Sequence, residues 1–414
     1  MITGLVALAP APGFAQEDSG GAKKDEKGRR APPVDAQTGK RLNEAVEFLS
    51  ANKLKDARTT LEKLNPERLS PYEQSRVFQL MAAIEQSEEK YDAARIQLEK
   101  AIASGGLADI EISNTRFQIA QLYMAQEKWR DGIKALEEWF KITPQPNSAA
   151  YYLLAIAHYQ LNEMNKALEP AQKAVDLSGD KPQVSWIELL LALRMDREEY
   201  ALAAPLLRKL IALGPEKKQY WTQLSSVYAA QGDLKQAAIP LQLAYHQGLI
   251  GSENELRQLS ELLVQANIPY RAARTLRTAI DKKAFEPDVK TLELLGQAWL
   301  IARSTDEALK PLEQAAKQSG KSDIYLRIAE VYSQREDWEK AQNNLKTALD
   351  KGDLKNPGSA QLLMGIVLYS QEKYGEAKTW FERARNSTAQ RSQADNWLKY
   401  IEQARKRAAE EASS

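Results

Sequence analysis

The residues of this chain that could do chemistry are few and far apart. There are two histidines, His158 and His246, and no cysteine, which excludes disulfides, thiolate chemistry and cysteine-based metal sites. The separation of the two histidines along the chain disfavours a shared metal ion. Neither a phosphate-binding G-x-x-x-x-G-K-[ST] motif nor a G-x-S-x-G motif occurs. We therefore expect no catalytic residue, no cofactor and no metal, and predict that the protein is not an enzyme.

Both histidines have ordinary structural explanations. His158 occupies a position at which related segments carry Tyr228 or Tyr332, so we predict that it is a packing residue. His246 stands near the predicted end of a helix, close to Gly248, where a contact with the negative end of the helix dipole is its expected role.

The segment from Gln219 to Ala244 predicts two short amphipathic helices joined by a tight turn. Trp221, Leu224 and Tyr228 recur at steps of three and four residues, which places them on one helix face. Gly232 then supplies the permissive backbone of a helix C-terminus, and Asp233 can cap the next helix. A helix pair this small cannot bury its apolar face alone, so it requires neighbouring copies.

Copies of this segment run along most of the chain. Small residues recur at intervals of 33 to 38 residues near the start of each second helix: Ala57, Ala94, Gly132, Ala167, Ala203, Ala237, Ala272, Ala308, Ala341 and Ala377. Twelve residues before each of them, nine of ten positions are again small. A period of about 34 residues with this pattern resembles the tetratricopeptide repeat. The resemblance implies an all-α, right-handed superhelical solenoid of about ten repeats over residues 39–386.

The two ends of the chain differ from the repeats. Residues 1–15 are apolar and resemble the remnant of a secretory signal cut after Ala15, although no Lys or Arg precedes the apolar run; the alternative is a plain N-terminal tail. Residues 16–38 are charged and nearly free of apolar side chains, so we predict a disordered linker. Residues 387–414 predict a capping helix and tail. No apolar run reaches the roughly 18 residues of a membrane span.

The charge balance bears on the class of partner. The chain has 57 basic and 56 acidic residues and a net charge of +1, which argues against a nucleic-acid partner. Protein partners are therefore expected, while the oligomeric state is left open.

The side chains expected to face the concave groove of such a solenoid are the candidate protein-binding residues. In each first helix, the residue directly after the small position and the residues three or four places on either side should face the groove. The candidates are Phe117, Gln121, Met124, Tyr152, Ile156, Tyr159, Glu188, Met195 and Arg257. An exposed cluster of aromatic residues and Met is typical of a peptide-binding patch. The alternative is that these side chains only complete the packing between neighbouring helices.

The run from Tyr220 to Ala273 resembles a narrower group of proteins. Its segments WTQL (221–224), LAYHQG (243–248) and NIPYRAA (267–273) are similar to those of periplasmic tetratricopeptide repeat proteins that accompany TonB energy-transduction systems. The resemblance implies a periplasmic accessory of proton-motive-force-driven uptake through outer-membrane receptors. It implies no catalytic residue. A scaffold for envelope polysaccharide export or outer-membrane assembly is the alternative function.

Overall fold

The computed structural model describes residues 33–179 and 182–412, and within these ranges the chain is helical, with no strand. None of the helices within these ranges is long and apolar enough to cross a bilayer. The predicted signal remnant, and the linker up to residue 32, lie outside the described residues.

The helix contacts group into two compact units, the first ending at Leu213 and the second beginning at Gly214. Unit 1 contains α1 Ala36–Ser50, α2 Leu54–Glu62, α3 Pro71–Ser87, α4 Tyr91–Ala103, α5 Asp109–Ala125, α6 Trp129–Ile142, α7 Ser148–Gln160, α8 Met164–Leu177, α9 Val184–Asp196 and α10 Tyr200–Leu213. A short 3-10 turn, Pro66–Arg68, precedes α3.

Unit 2 continues the same pattern. It contains α11 Lys218–Ala230, α12 Leu234–His246, α13 Glu253–Gln265, α14 Pro269–Asp281, α15 Val289–Ile301, α16 Thr305–Ser319, α17 Ser322–Gln334, α18 Trp338–Lys351, α19 Pro357–Ser370, α20 Tyr374–Ala384 and α21 Arg391–Ala412. In both units the odd-numbered helices up to α19 are the first helices of repeats, and each packs against the even-numbered second helix that follows it.

The first helix begins three residues before the predicted start of the repeats, at Ala36. Asp35 explains this boundary, because its Oδ2 accepts hydrogen bonds from the amides of Gln37 and Thr38, both at 3.0 Å. Its own amide donates to Glu73 Oε1 of α3 at 2.8 Å, which ties the start of α1 to the next repeat. Residues 36–38 of the predicted linker are therefore helical.

The small residues that define the repeat are buried where the sequence places them. Each of the ten is the fourth residue of its second helix, from Ala57 in α2 to Ala377 in α20. The nine alanines are completely buried, and Gly132 is buried as well. Side chains this small let the paired helices approach closely, and the predicted helix-turn-helix repeats are confirmed.

Every turn within a repeat contains one residue in the left-handed conformation. These residues lie five positions before the buried small residue: Asn52, Glu89, Glu127, Asn162, Glu198, Gly232, Asn267, Arg303, Glu336 and Glu372. Each turn closes with the two hydrogen bonds of a Schellman motif. In the sixth repeat they run from Gly232 N to Ala229 O at 2.9 Å and from Asp233 N to Tyr228 O at 3.0 Å. Only one of the ten positions holds glycine.

We expect Gly232→Ala to destabilise the protein by about 1 kcal/mol, since a Cβ is unfavourable at a φ of +79°. No atom lies within 4 Å of the added Cβ, so the loss would come from the backbone alone. Gly232→Asn should lose less, because asparagine tolerates this conformation better. Urea unfolding measures the effect.

Gly251→Ala is the matched control for this change. Gly251 also has open space around it, but its φ is outside the left-handed region. We expect this variant to be as stable as the wild type or slightly more stable, because alanine restricts the unfolded chain. Equal losses in the Gly232 and Gly251 variants would contradict the backbone explanation.

The predicted cap is also present. α21 begins at Arg391, and Trp397 stacks on Phe381 of α20 with ring centroids 5.6 Å apart and an interplanar angle of 3°. Ile401 is buried. The last repeat is therefore covered by an additional helix, as the open end of a repeat array requires.

Candidate protein-binding face

The candidate residues lie on the first helices of repeats three to five and seven. Along α5 and α7 they follow steps of four and three residues, so within each helix they share one face. The helices α5 and α7 touch each other in unit 1. The side chains nevertheless differ in how much surface they offer. None of the nine is fully exposed: Gln121, Met124 and Ile156 are buried, and the other six are half-buried.

The α5 candidates pack mainly onto the second helix of their own repeat. Met124 fills the space that Gly132 leaves on α6, where a Cβ would lie 2.6 Å from Met124 Cε. The ring of Phe117 lies 4.9 Å from that of buried Trp139, also on α6. These contacts correspond to the packing alternative, and the expected exposed patch of aromatic residues and Met does not extend over α5.

Tyr152 of α7 packs against the next repeat. Its ring stacks on that of Trp186 in α9, with centroids 5.6 Å apart and an interplanar angle of 27°. Burial raises the pKa of Tyr152, a hydrogen bond with the Ser185 side chain acts in the opposite direction, and the charge of Glu188 adds to the rise. The phenol therefore stays protonated at neutral pH and can act as a hydrogen-bond donor.

Three further candidates stay half-buried beside Tyr152. Tyr159 lies two turns further along α7, while Glu188 and Met195 lie two turns apart on α9. We call Tyr152, Tyr159, Glu188 and Met195 the α7–α9 face. It combines two phenols, a thioether and a carboxylate, which suits a peptide with an apolar side chain and a hydrogen-bonding or cationic group.

Arg257 of α13 is not a free cation. Its Nη1 donates to Asp288 Oδ2 at 2.9 Å and to Thr291 Oγ1 at 3.3 Å, and its Nη2 donates to Asn254 Oδ1. Asp288 is also the N-cap of α15, with Oδ1 accepting from the Thr291 amide at 2.7 Å. Arg257 therefore ties two neighbouring first helices of unit 2 together.

The prediction for His158 is confirmed, because its side chain is buried in α7. The ring Nδ1 lies 2.8 Å from Glu163 Oε2, beyond the end of the helix. The hydrogen bond with His158, followed by that with Lys166, lowers the pKa of Glu163. His246 is the last residue of α12 and is exposed, with its ring 5.7 Å from that of Tyr245.

Sequence reasoning missed Trp186 as the partner of Tyr152. The available signal was their separation of 34 residues, about one repeat, which places two side chains at equivalent heights on neighbouring first helices. Arg76 of α3 and Glu111 of α5 are likewise about one repeat apart, and Arg76 Nη2 lies 2.6 Å from Glu111 Oε1. Contacts one period apart therefore contribute to the links between repeats.

Comparison with known proteins agrees with this architecture. The model of a tetratricopeptide repeat family matches residues 117–182, 192–248 and 326–394. Paired helices with buried small residues define the chain as a helical repeat protein. More specifically, the three matched segments, which make up just under half of the chain, are similar to tetratricopeptide repeats. Among curated proteins, none matches the sequence significantly.

Solved structures similar to this chain share little sequence with it. The hetero-tetramer Cut9–Hcn1 of the APC/C has 14% identity and a TM-score of 0.32, covering 88% of this chain and 84% of that chain. Naa15/Naa10 bound to HypK-THB has 14% identity and a TM-score of 0.44, covering 80% and 61%. A tetratricopeptide repeat protein from Parabacteroides merdae has 13% identity and a TM-score of 0.38, covering 76% and 99%.

Proposed function

We propose that this protein is a non-catalytic scaffold that holds segments of partner proteins on the α7–α9 face. The observation that supports this is the half-buried state of four side chains of mixed chemistry on two neighbouring first helices. Side chains already ordered by their neighbours lose little conformational entropy when a partner binds. Aromatic residues in such positions supply a large contact area for each rotatable side-chain bond that must be ordered.

The proposed place of action is the periplasm, and the proposed pathway is uptake driven by a TonB-type system. The support for both is the resemblance carried by residues 221–224, 243–248 and 267–273, together with the apolar residues 1–15. Recovery of a mature protein that begins at Gln16 would support export. An intact N-terminus in cell extracts would contradict it.

A photocrosslinking amino acid at Tyr159 tests the face and the pathway together. We expect covalent products with TonB-complex proteins in cells that produce the full chain, identified by mass spectrometry. Glu138, which is exposed on second helix α6, provides the matched control position. Products at Glu138 but not at Tyr159 would contradict the proposed face.

The partners captured at Tyr159 also decide between the two pathways. Glycan synthases, or factors that assemble outer-membrane barrels, would favour the alternative role in polysaccharide export or outer-membrane assembly. Products restricted to unrelated envelope proteins would count against both pathways while leaving the scaffold function in place.

A further inference from the structure

We infer that unit 2 carries a second protein-binding site, a cationic groove between second helices α12 and α14 that takes an acidic peptide segment with apolar side chains. This site goes beyond the proposed function, because it is built from α12, α14 and the start of α13 in unit 2 and not from the first helices that form the α7–α9 face. It is an open cavity of about 970 Å³, within the range of peptide and ligand sites.

The charge of the groove has one sign. Arg271, Arg274 and Lys282 line it together with His246, and none of the described residues that line it is acidic. The sequence contributes to this segregation, since no Asp or Glu occurs between Leu234 and Ser252. A cluster of cations without a counter-charge attracts carboxylates and speeds their association.

The cations of the groove are available for a ligand. Among the described residues, Arg274 and Lys282 form no ion pair, and both are exposed. The guanidinium of Arg271 has one polar contact among the described residues, a weak hydrogen bond from Nη1 to Gln242 Oε1 of α12 at 3.3 Å. Arg277, one turn beyond Arg274 on α14, differs: its Nε lies 2.9 Å from both oxygens of Asp281, and it does not line the groove.

Apolar surface accompanies this charge. Ile250 and Leu256 form a buried floor, and Tyr270 stands at the side with 54% of its surface exposed. Ile239 and Leu243 lie one turn apart on α12, and each is 45% exposed. Ile239 lies three residues before Gln242 and Leu243 three residues before His246, and both of those later residues line the groove, so the apolar strip continues from the cationic one on the same helix face. A ligand that covers both strips needs carboxylates and aliphatic or aromatic side chains.

The floor of the groove is held in place by Glu255 of α13. Burial acts to raise its pKa, but Lys218 and the amides of Gly251 and Ser252 outweigh this and lower the pKa of Glu255 to about 2. Its Oε1 lies 2.7 Å from Lys218 Nζ, and its Oε2 accepts from the Gly251 amide at 3.0 Å. The loop that carries Ile250 is thus ordered before a ligand arrives.

A peptide fits these features better than a nucleic acid does. A nucleic-acid site with on the order of 6–10 phosphate contacts uses more cations than this groove supplies. The neighbouring exposed strip of Ile239 and Leu243 has no counterpart on a sugar-phosphate backbone. The overall charge of +1 adds no long-range attraction for nucleic acid.

The test is binding of the full chain to an array of 12-residue peptides. Each peptide contains four Glu and two Leu or Phe, and the positions of these six residues vary from one peptide to the next. Copies with Gln in place of Glu serve as the uncharged set. We expect a subset of the acidic peptides to bind, their Gln copies to bind weakly, and the affinity to fall with added salt. The selected peptides are then titrated by fluorescence anisotropy.

The double variant Arg271→Gln/Arg274→Gln should bind a selected peptide at least about tenfold more weakly, since two hydrogen bonds to charged groups are lost. The control double variant Arg277→Gln/Lys283→Gln removes the same number of positive charges. Arg277 lies on α14 and Lys283 two residues after its end, and neither lines the groove, so this variant should bind as the wild type does. Both double variants alter exposed or half-exposed side chains, and their melting temperatures confirm folding.

Three outcomes would overturn the inference. One is that no acidic peptide of the array binds. Another is that both double variants lose the same affinity, which would show a general charge effect. The third is tighter binding of double-stranded DNA than of every acidic peptide. None of these results bears on the crosslinks at Tyr159, so the proposed scaffold function is tested separately.

Discussion

Replacing Gly365 with alanine should lower the free energy of unfolding by about 1–3 kcal/mol, as overpacking of a filled core does. Gly365 lies in α19, and a Cβ there would come within 2.5 Å of Phe381 Cε1 and 2.6 Å of its Cδ1. Phe381 is completely buried and cannot retreat, because Trp397 stacks on its ring. Either the helix pair must separate or the ring must leave its position.

A compensating change should restore most of the lost stability. Four other repeats combine alanine and leucine at these two positions: Ala45 with Leu61, Ala82 with Leu98, Ala120 with Leu136 and Ala329 with Leu345. The double variant Gly365→Ala/Phe381→Leu would therefore give the tenth repeat a pairing that the chain already uses. Phe381→Leu alone should be destabilising, because it leaves a cavity beside glycine.

Urea unfolding of the full chain, followed by circular dichroism, measures all three variants. The physical explanation requires a double variant that is more stable than either single one. Additive losses would show that the two residues do not compete for the same space, and would contradict the close contact between Gly365 and Phe381.

The second large effect is expected at Trp186. Trp186→Ala should cost about 3–5 kcal/mol, since the side chain is buried and its removal leaves a cavity. It also removes the stack with Tyr152. A double-mutant cycle of Trp186→Ala and Tyr152→Ala should give a coupling of about 0.5–1.5 kcal/mol, the usual range for an aromatic pair.

Tyr159→Ala is the matched control for Tyr152→Ala. It lies on the same helix and is also half-buried, but within the described part of the chain its side chain has no hydrogen bond or ring contact. We expect a clearly smaller loss of stability than for Tyr152→Ala, and no coupling to Trp186→Ala. If Tyr152→Ala leaves stability unchanged, the stack does not hold α7 and α9 together, and Tyr152 belongs entirely to the binding face.

The two tyrosines thus separate the explanations that the sequence leaves open. Tyr152 contacts the next repeat and also reaches the surface, so its removal should affect both stability and partner capture. Tyr159 should affect partner capture with little change in stability. Sequence reasoning placed both on one face because they lie seven residues apart, and that spacing is the same for a packing role and a binding role.

Repeat length and helix pairing follow from local sequence. The small residues from Ala57 to Ala377 recur because every second helix must approach the first helix of its repeat closely at the same point. That requirement returns once in each repeat of the sequence. Neighbour contacts dominate such an architecture, so a pattern visible within 40 residues is enough to predict it. The capping helix with Trp397 followed from the same argument, since the last repeat has no successor.

Which side of each helix stays accessible was decided only in three dimensions. Met124 was expected to face the groove, but it is buried in the core, where it fills the space left by the absent side chain of Gly132. Ile156 shares a helix face with Tyr152 and is buried all the same. A helical spacing of 3.6 residues gives a direction from the axis, whereas burial depends on the size of side chains in the next helix and the next repeat.

The turns show the same division. Gly232 predicts a left-handed residue at one turn. The other nine turns adopt the same conformation with Asn, Glu or Arg. Local preference alone disfavours this for Glu, yet the packing of both flanking helices outweighs a cost of about 1–2 kcal/mol. By itself, then, the sequence determined the all-α repeat and its period, because small buried residues recur along the chain. The accessible faces and the conformation of the turns depended on tertiary packing, because they result from contacts between helices that no local pattern encodes.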